Sequence, residues 1–260
     1  MKLNKIRFLS LMLCIIMTLS SFSISASASE SLELENANAN EYSYATLVYS
    51  GDDTETYRIP ITDPKTRSIY YLNVDLTGDT TAHTVTATLS NDFALGFSTV
   101  NVTLRLYSER YGTTLEDIDS DSDLNLGESI SVTAINVTET AKFYATVTGT
   151  GNGENISYST YHVPFNSRAA KYPTHITSPV TGASLPYNFS VTAAEIPESQ
   201  WVKWNDETRD EYEDYLGEDL TGYHVHHILP RRYGGTNTPS NLIPLTPSDH
   251  SKVTNWWKYY

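Results

Sequence analysis

The sequence has a single cysteine, three methionines, and only 17 Lys and Arg against 31 Asp and Glu. The cysteine, Cys14, sits inside an apolar run from Phe8 to about Leu19, preceded by Lys2, Lys5 and Arg7 and followed by the small residues of "SISASASE". That pattern predicts an export signal cut after Ala26-Ser27-Ala28, so residues 1–28 are expected to be lost and the protein to be secreted to the extracellular side. The run is short for a membrane span, and no stable membrane anchor is expected. Beyond it no cysteine remains, which excludes disulfides and thiolate-bound metals and leaves only nitrogen and oxygen donors for any ion.

Positive charge is scarce as well. The first 28 residues carry three basic and no acidic side chains, so the rest stands at 14 basic to 31 acidic, a formal −17. Such a field favours solubility and opposes passive adhesion to polyanions. A nucleic-acid partner would have to be engaged by a local patch, against the field of the whole. The chain beyond the signal is long enough for one large or two ordinary domains.

Helical periodicity is absent from Tyr42 to Val163. Runs such as "SIYYLNVDLT", "TVNVTLRLYS" and "KFYATVTGT" alternate β-branched or aromatic residues with polar ones and are broken by Gly, Asp, Asn and Pro. About eight strands are expected, arranged as an all-β antiparallel sandwich or barrel over residues 42–163. Its ligand is not specified by any convergent set of titratable groups. One acidic stretch, "DIDSDSDLNLGE", places Asp117, Asp119, Asp121, Asn125 and Glu128 in the order of oxygen donors in a calcium loop, although Ser122 stands where such a loop needs glycine. The readings are a Ca²⁺ site or a solvated acidic loop.

Residues 164–196 are rich in Pro, Ser, Thr and Gly and read as a linker. In residues 197–260 the texture changes. Trp201, Trp204, Thr208, Tyr212 and Tyr215 recur at spacings of three and four before Gly217, which predicts an amphipathic helix with an aromatic stripe and an acidic outer face. "TPSDH" opens a second helix, with Thr246 as cap, Pro247 at the first position and His250 in the first turn.

Between these helices lies "YHVHHILPRRYGGTNTPSNLIPL", with His224, His226 and His227 within four positions, then Arg231, Arg232, a Gly-Gly turn and Asn241, nine residues before His250. In order, spacing and filler this string resembles the His-Asn-His (HNH) endonuclease family, whose fold is two short strands and a helix around one metal ion. The resemblance covers about the last 38 residues. It implies a small ββα-metal module and an α+β chain overall. It also implies that His226 and His250 bind a divalent ion (Mg²⁺, Mn²⁺, Zn²⁺ or Ni²⁺), that His227 deprotonates water, and that Asn241 braces the loop between the strands. The chemistry agrees. Imidazole titrates near neutral pH and binds divalent ions, and phosphodiester hydrolysis needs both a base and a cation. His224 shares a strand face with His226 and is a candidate accessory ligand. Arg231, Arg232 and Lys252 are candidate phosphate contacts, with Lys258 also on the final helix. Family members often carry another histidine one turn beyond the last ligand, where this chain has Thr254, and others have CxxC knuckles, which this chain lacks. The chain is therefore read as a secreted, metal-dependent endonuclease of DNA, or of RNA, with little sequence specificity, producing 5′-phosphate and 3′-hydroxyl ends. The alternative is a secreted surface-binding β-sandwich protein carrying an inactive HNH-like remnant.

Overall fold

A computed structural model describes residues 42–63, 65–91 and 100–260. The expected signal, residues 1–28, lies outside the described residues. The strands are β1 (Ser43–Tyr44), β2 (Thr46–Ser50), β3 (Thr54–Thr62), β4 (Ile69–Asp79), β5 (Thr84–Ser90), β6 (Val100–Glu109), β7 (Thr113–Leu124), β8 (Ser129–Ala134), β9 (Ala141–Gly151), β10 (Glu154–Ser159) and β11 (Val163–Phe165). They form a five-stranded sheet, β2-β3-β4-β5-β8, and a six-stranded sheet, β1-β10-β9-β6-β7 with β11 on β9. The sheets are not closed into a barrel, so the sandwich alternative is the one adopted. One pair departs from the expected antiparallel pattern: β1 runs parallel to β10.

Alternation makes this core. In β4 the residues Tyr70, Leu72, Val74 and Leu76 turn inward, and in β6 so do Val102, Leu104 and Leu106, joining one buried cluster between the sheets. Each such side chain contributes roughly 1.5–3 kcal/mol through removal from water. Two strands were not anticipated. β3 contains Pro60, which counts against a central strand. The β2 partner register ends at Arg58, so Pro60 lies beyond it where no ladder donor is required.

The other unanticipated strand is β7, and it corrects the calcium reading. Asp117, Asp119 and Asp121 stand opposite Leu106, Leu104 and Val102 on an extended edge strand. Extended backbone spaces alternate residues by about 6.6 Å, too spread to wrap one ion. Each acid has local work instead. Asp117 accepts from the Thr133 N–H of β8 at 2.8 Å, and Asp119 and Asp121 accept from Ser120 and Asp123 N–H. Asn125 donates through both its backbone N–H and Nδ2 to Glu128. Acids along an edge strand also discourage pairing with another sheet.

Residues 164–196 are more than a connector. Tyr172, Ile176, Leu185 and Phe189 are buried with Ile228, Ile243, Leu245, Val253, Trp256 and Trp257 in a second core. The Tyr172 ring meets Trp256 and Phe189 edge-on at centroid distances of 4.8 and 5.0 Å. A ββα unit alone buries too little apolar surface to hold itself, and this irregular strap supplies the rest. The strap is tied down by hydrogen bonds from Trp256 Nε1 to Ala170 O (2.8 Å), Asn166 Nδ2 to Trp256 O (3.1 Å) and Ser178 Oγ to Pro244 O (2.7 Å). Toward the sandwich, Lys171 Nζ reaches the buried Glu55 carboxylate at 3.3 Å, and Gly78 lies so close to Ala169 O that a Cβ there would come within 2.0 Å. Among the described residues no helix is long and apolar enough to cross a membrane.

Candidate active site

Two helices frame the site, and the first is shorter than its spacing predicts. α1 spans Asp206–Leu216, because Asn205 and Thr208 form a reciprocal capping box that starts the helix there, and Gly217 ends it at φ 70°. Trp201 and Trp204 therefore lie before the helix, and Tyr215 is 67% exposed, so the expected stripe reduces to Tyr212. Tyr212 packs with Leu220 and Leu242 and donates to Leu242 O at 2.9 Å. Arg209 ties α1 to the turn that leads into the following strand by donating to Leu220 O and Tyr223 O.

That strand, β12 (His224–His227), pairs antiparallel with β13 (Leu242–Leu245), His226 opposite Ile243 and His227 opposite Leu242. α2 (Pro247–Trp257) follows, capped by Thr246, which accepts from Asp249 N–H at 3.1 Å. The strand's period of two separates the adjacent histidines. His224 and His226 face α2, where the His250 ring lies 5.0 Å from the first and 5.2 Å from the second. His227 turns the other way, its ring edge-on to Trp204 at 5.1 Å.

Asn241 fixes the intervening loop. Its Oδ1 accepts from Leu229 N–H at 2.9 Å, and its Nδ2 donates to Leu229 O and Thr236 O at 3.1 and 2.9 Å. Gly235 makes that closure possible, since a Cβ there would stand 1.7 Å from Leu229 O. The loop carries His227 at its entrance and so cannot slide without breaking these bonds.

The three inner imidazoles are held neutral. Burial, then the neighbouring His250 and His227, pushes His226 down to about 3. Burial also lowers His227, against the pull of its bond to Asn237, and lowers His250, with His224 adding to the effect. His226 is 5% exposed, and its Nε2 has no hydrogen-bond partner among the described residues. A neutral, buried imidazole nitrogen left without a partner is costly unless it receives a ligand, and it suits a divalent ion. His226 and His250 thus fit a metal. Among the described residues no three His, Cys, Asp or Glu side chains gather as a complete ligand set, so water and substrate oxygens would fill the remaining positions.

His224, His226, His227 and His250 line one cleft of about 660 Å³, with Trp201, Trp204, Arg231, Arg232, Thr254 and Lys258 on its walls. Arg231 and Arg232 reach the cleft while anchored, Arg231 donating to Val202 O at 3.1 Å and Arg232 to Trp257 O. Arg232 also stands 3.8 Å from Glu195. Lys252 is not brought to the cleft. It points to Asp52 and Asp249, at 3.8 and 3.9 Å, because its position on α2 faces the β2–β3 turn, and Lys258 takes the place expected for it. Of the remaining histidines, His162 pairs with Glu109 (2.8 Å) and His175 with Asp52 (3.1 Å), both away from the site.

Two contributors escape a reading of the sequence. Asn237, in the turn-forming string "GGTNTPSN", bonds His227, and Trp204, assigned by spacing to a helix core, packs on the same ring. Only the Asn between turn residues was there to suggest the first, and turns use Asn for their own reasons.

Two short antiparallel strands and a helix, with paired imidazoles between them, make a ββα module. Residues 214–255 match the family model described as HNH endonuclease. A search of curated proteins finds no match to the chain.

Proposed function

We propose that this protein is a secreted, metal-dependent endonuclease that hydrolyses phosphodiester bonds of nucleic acid, DNA before RNA, with little sequence discrimination. The observation that carries the reading is the juxtaposition of a partnerless buried Nε2 on His226, the His250 ring facing it, and a neutral His227 on the opposite strand face of the same open cleft.

His226 and His250 would hold the ion by neutral nitrogen. A divalent ion bound there supplies the positive charge that stabilises the phosphate and leaving oxygen as negative charge develops. His227 takes the proton of the attacking water as general base, and its lowered affinity for protons keeps it ready at neutral pH. Asn241 holds the loop that positions it. Arg231, Arg232 and Lys258 offer cations to phosphate oxygens, which act alike on every sequence. Export rests on the pattern of residues 1–28, and the product ends, 5′-phosphate and 3′-hydroxyl, follow from the family resemblance. The sandwich carries the module.

The test is conversion of supercoiled plasmid to nicked and linear forms by purified protein. Cleavage is expected with Mg²⁺, Mn²⁺, Zn²⁺ or Ni²⁺ and is expected to stop with EDTA. Intact plasmid with all four ions would leave the inactive-remnant alternative standing.

A further inference from the structure

Within that nuclease reading, one side chain to which the sequence pattern gives no role has a defined task. The Asn237 amide is held from one side: its Nδ2 donates to Lys203 O at 2.7 Å, which leaves Oδ1 turned toward His227 Nε2 at 2.9 Å. A carbonyl oxygen can only accept, so the ring nitrogen facing it must carry the hydrogen. The neutral imidazole then has its lone pair on Nδ1. The Trp204 ring packs edge-on to the imidazole at 5.1 Å and hinders its rotation about the Cβ–Cγ bond. Lys203 and Trp204 both belong to the segment just before α1, so that segment clamps the ring from two directions. Arg231, whose guanidinium bonds Val202 O, fastens the same segment to the loop that follows β12.

We propose that Asn237 is a positioning residue that fixes the tautomer and orientation of His227, so that Nδ1 is the atom presented to water. The chain builds this control from a side-chain amide whose own direction is set by a backbone carbonyl. An amide that could flip would offer its NH₂ to the ring and reverse the tautomer. The Lys203 carbonyl removes that choice.

Two variants separate positioning from simple bracing. Asn237→Leu loses both bonds. Asn237→Asp also loses the donor to Lys203 but keeps an acceptor toward the ring. In metal-free protein labelled with ¹⁵N-histidine, and with His227→Ala used to assign the signal, a protected Nε2–H resonance of His227 is expected in the unmodified chain. It should persist in Asn237→Asp and vanish in Asn237→Leu. In plasmid cleavage kcat should fall roughly 10-fold to 100-fold in the Leu variant with KM unchanged, and clearly less in the Asp variant. Finding the His227 proton on Nδ1, or finding both variants alike in spectrum and kcat, overturns the assignment. The spectrum needs neither ion nor substrate, so an unmodified chain that shows the resonance but cleaves nothing would overturn the nuclease reading and leave the tautomer assignment intact.

Discussion

At the scale of single residues the site depends on which nitrogen faces what, and on how closely backbone can approach backbone. Asn241 and Gly235 show the second requirement. The amide of Asn241 makes three hydrogen bonds across the loop, and Gly235 clears the space those bonds need. Replacing Gly235 by Ala places a methyl 1.7 Å from Leu229 O, so the backbone must move and the Asn241 bonds with it. The expected cost is about 2 kcal/mol or more, read as a lower urea midpoint with unchanged slope. A midpoint shift below a few tenths of a kcal/mol would contradict this account of the loop. His226, His227, Asn241 and His250 were legible in the sequence because their spacing is a pattern. Asn237 was not, because its partner Lys203 stands 34 residues earlier, in a segment whose path is set by packing.

At the scale of elements, caps and edges decide what periodicity leaves open. The spacing of Trp201, Trp204, Thr208 and Tyr212 fits a helix, yet Asn205 and Thr208 satisfy each other's backbone N–H groups and begin it at Asp206. Trp204 is thereby freed to pack on His227 instead of on its own helix. Asn205→Ala should remove about 1 kcal/mol from the stability of α1 and its surroundings. Chemical denaturation should show that loss, and hydrogen exchange should show faster opening of amides 206–209 while β4 and β6 are unaffected. Unchanged exchange in the first turn would count against the capping box as the start signal. The same logic explains the misread acidic stretch. Asp117, Asp119 and Asp121 share a stretch with too few apolar residues to advertise a strand, Ile118 standing alone among serines, but the β6 edge offers a ladder, and pairing overrides composition.

At the scale of the molecule, the strap from Asn166 to Val191 joins sandwich and module. The sandwich was legible because alternation is its own signal. The strap was not, since Tyr172, Ile176, Leu185 and Phe189 follow neither period and read as a Pro- and Gly-rich connector. The joined body also has a pH signature away from the site. Burial lowers the proton affinity of His162, against the bond to Glu109, and of His175, where Lys171 adds to burial. Folded values below the ordinary 6.5 mean that the unfolded chain takes up protons first. The stability from these two groups is complete above that value and declines as pH falls through 6.5 toward the folded values. Calorimetry should give a smaller fall in Tm between pH 7 and pH 5.5 for His162→Gln than for the unmodified chain. Equal falls in the two would remove His162 from the account. The comparison of variants separates the imidazole from the relief of acidic self-repulsion in a chain of such strong negative charge.

Hydrolysis at this site depends on His227 as its base. Single-turnover cleavage of an end-labelled DNA duplex, with saturating Mn²⁺, compares the unmodified chain with His227→Ala most directly. A fall of about 100-fold or more in the cleavage rate, with Tm and DNA affinity retained, is the predicted result. Equal rates for the two proteins would contradict it.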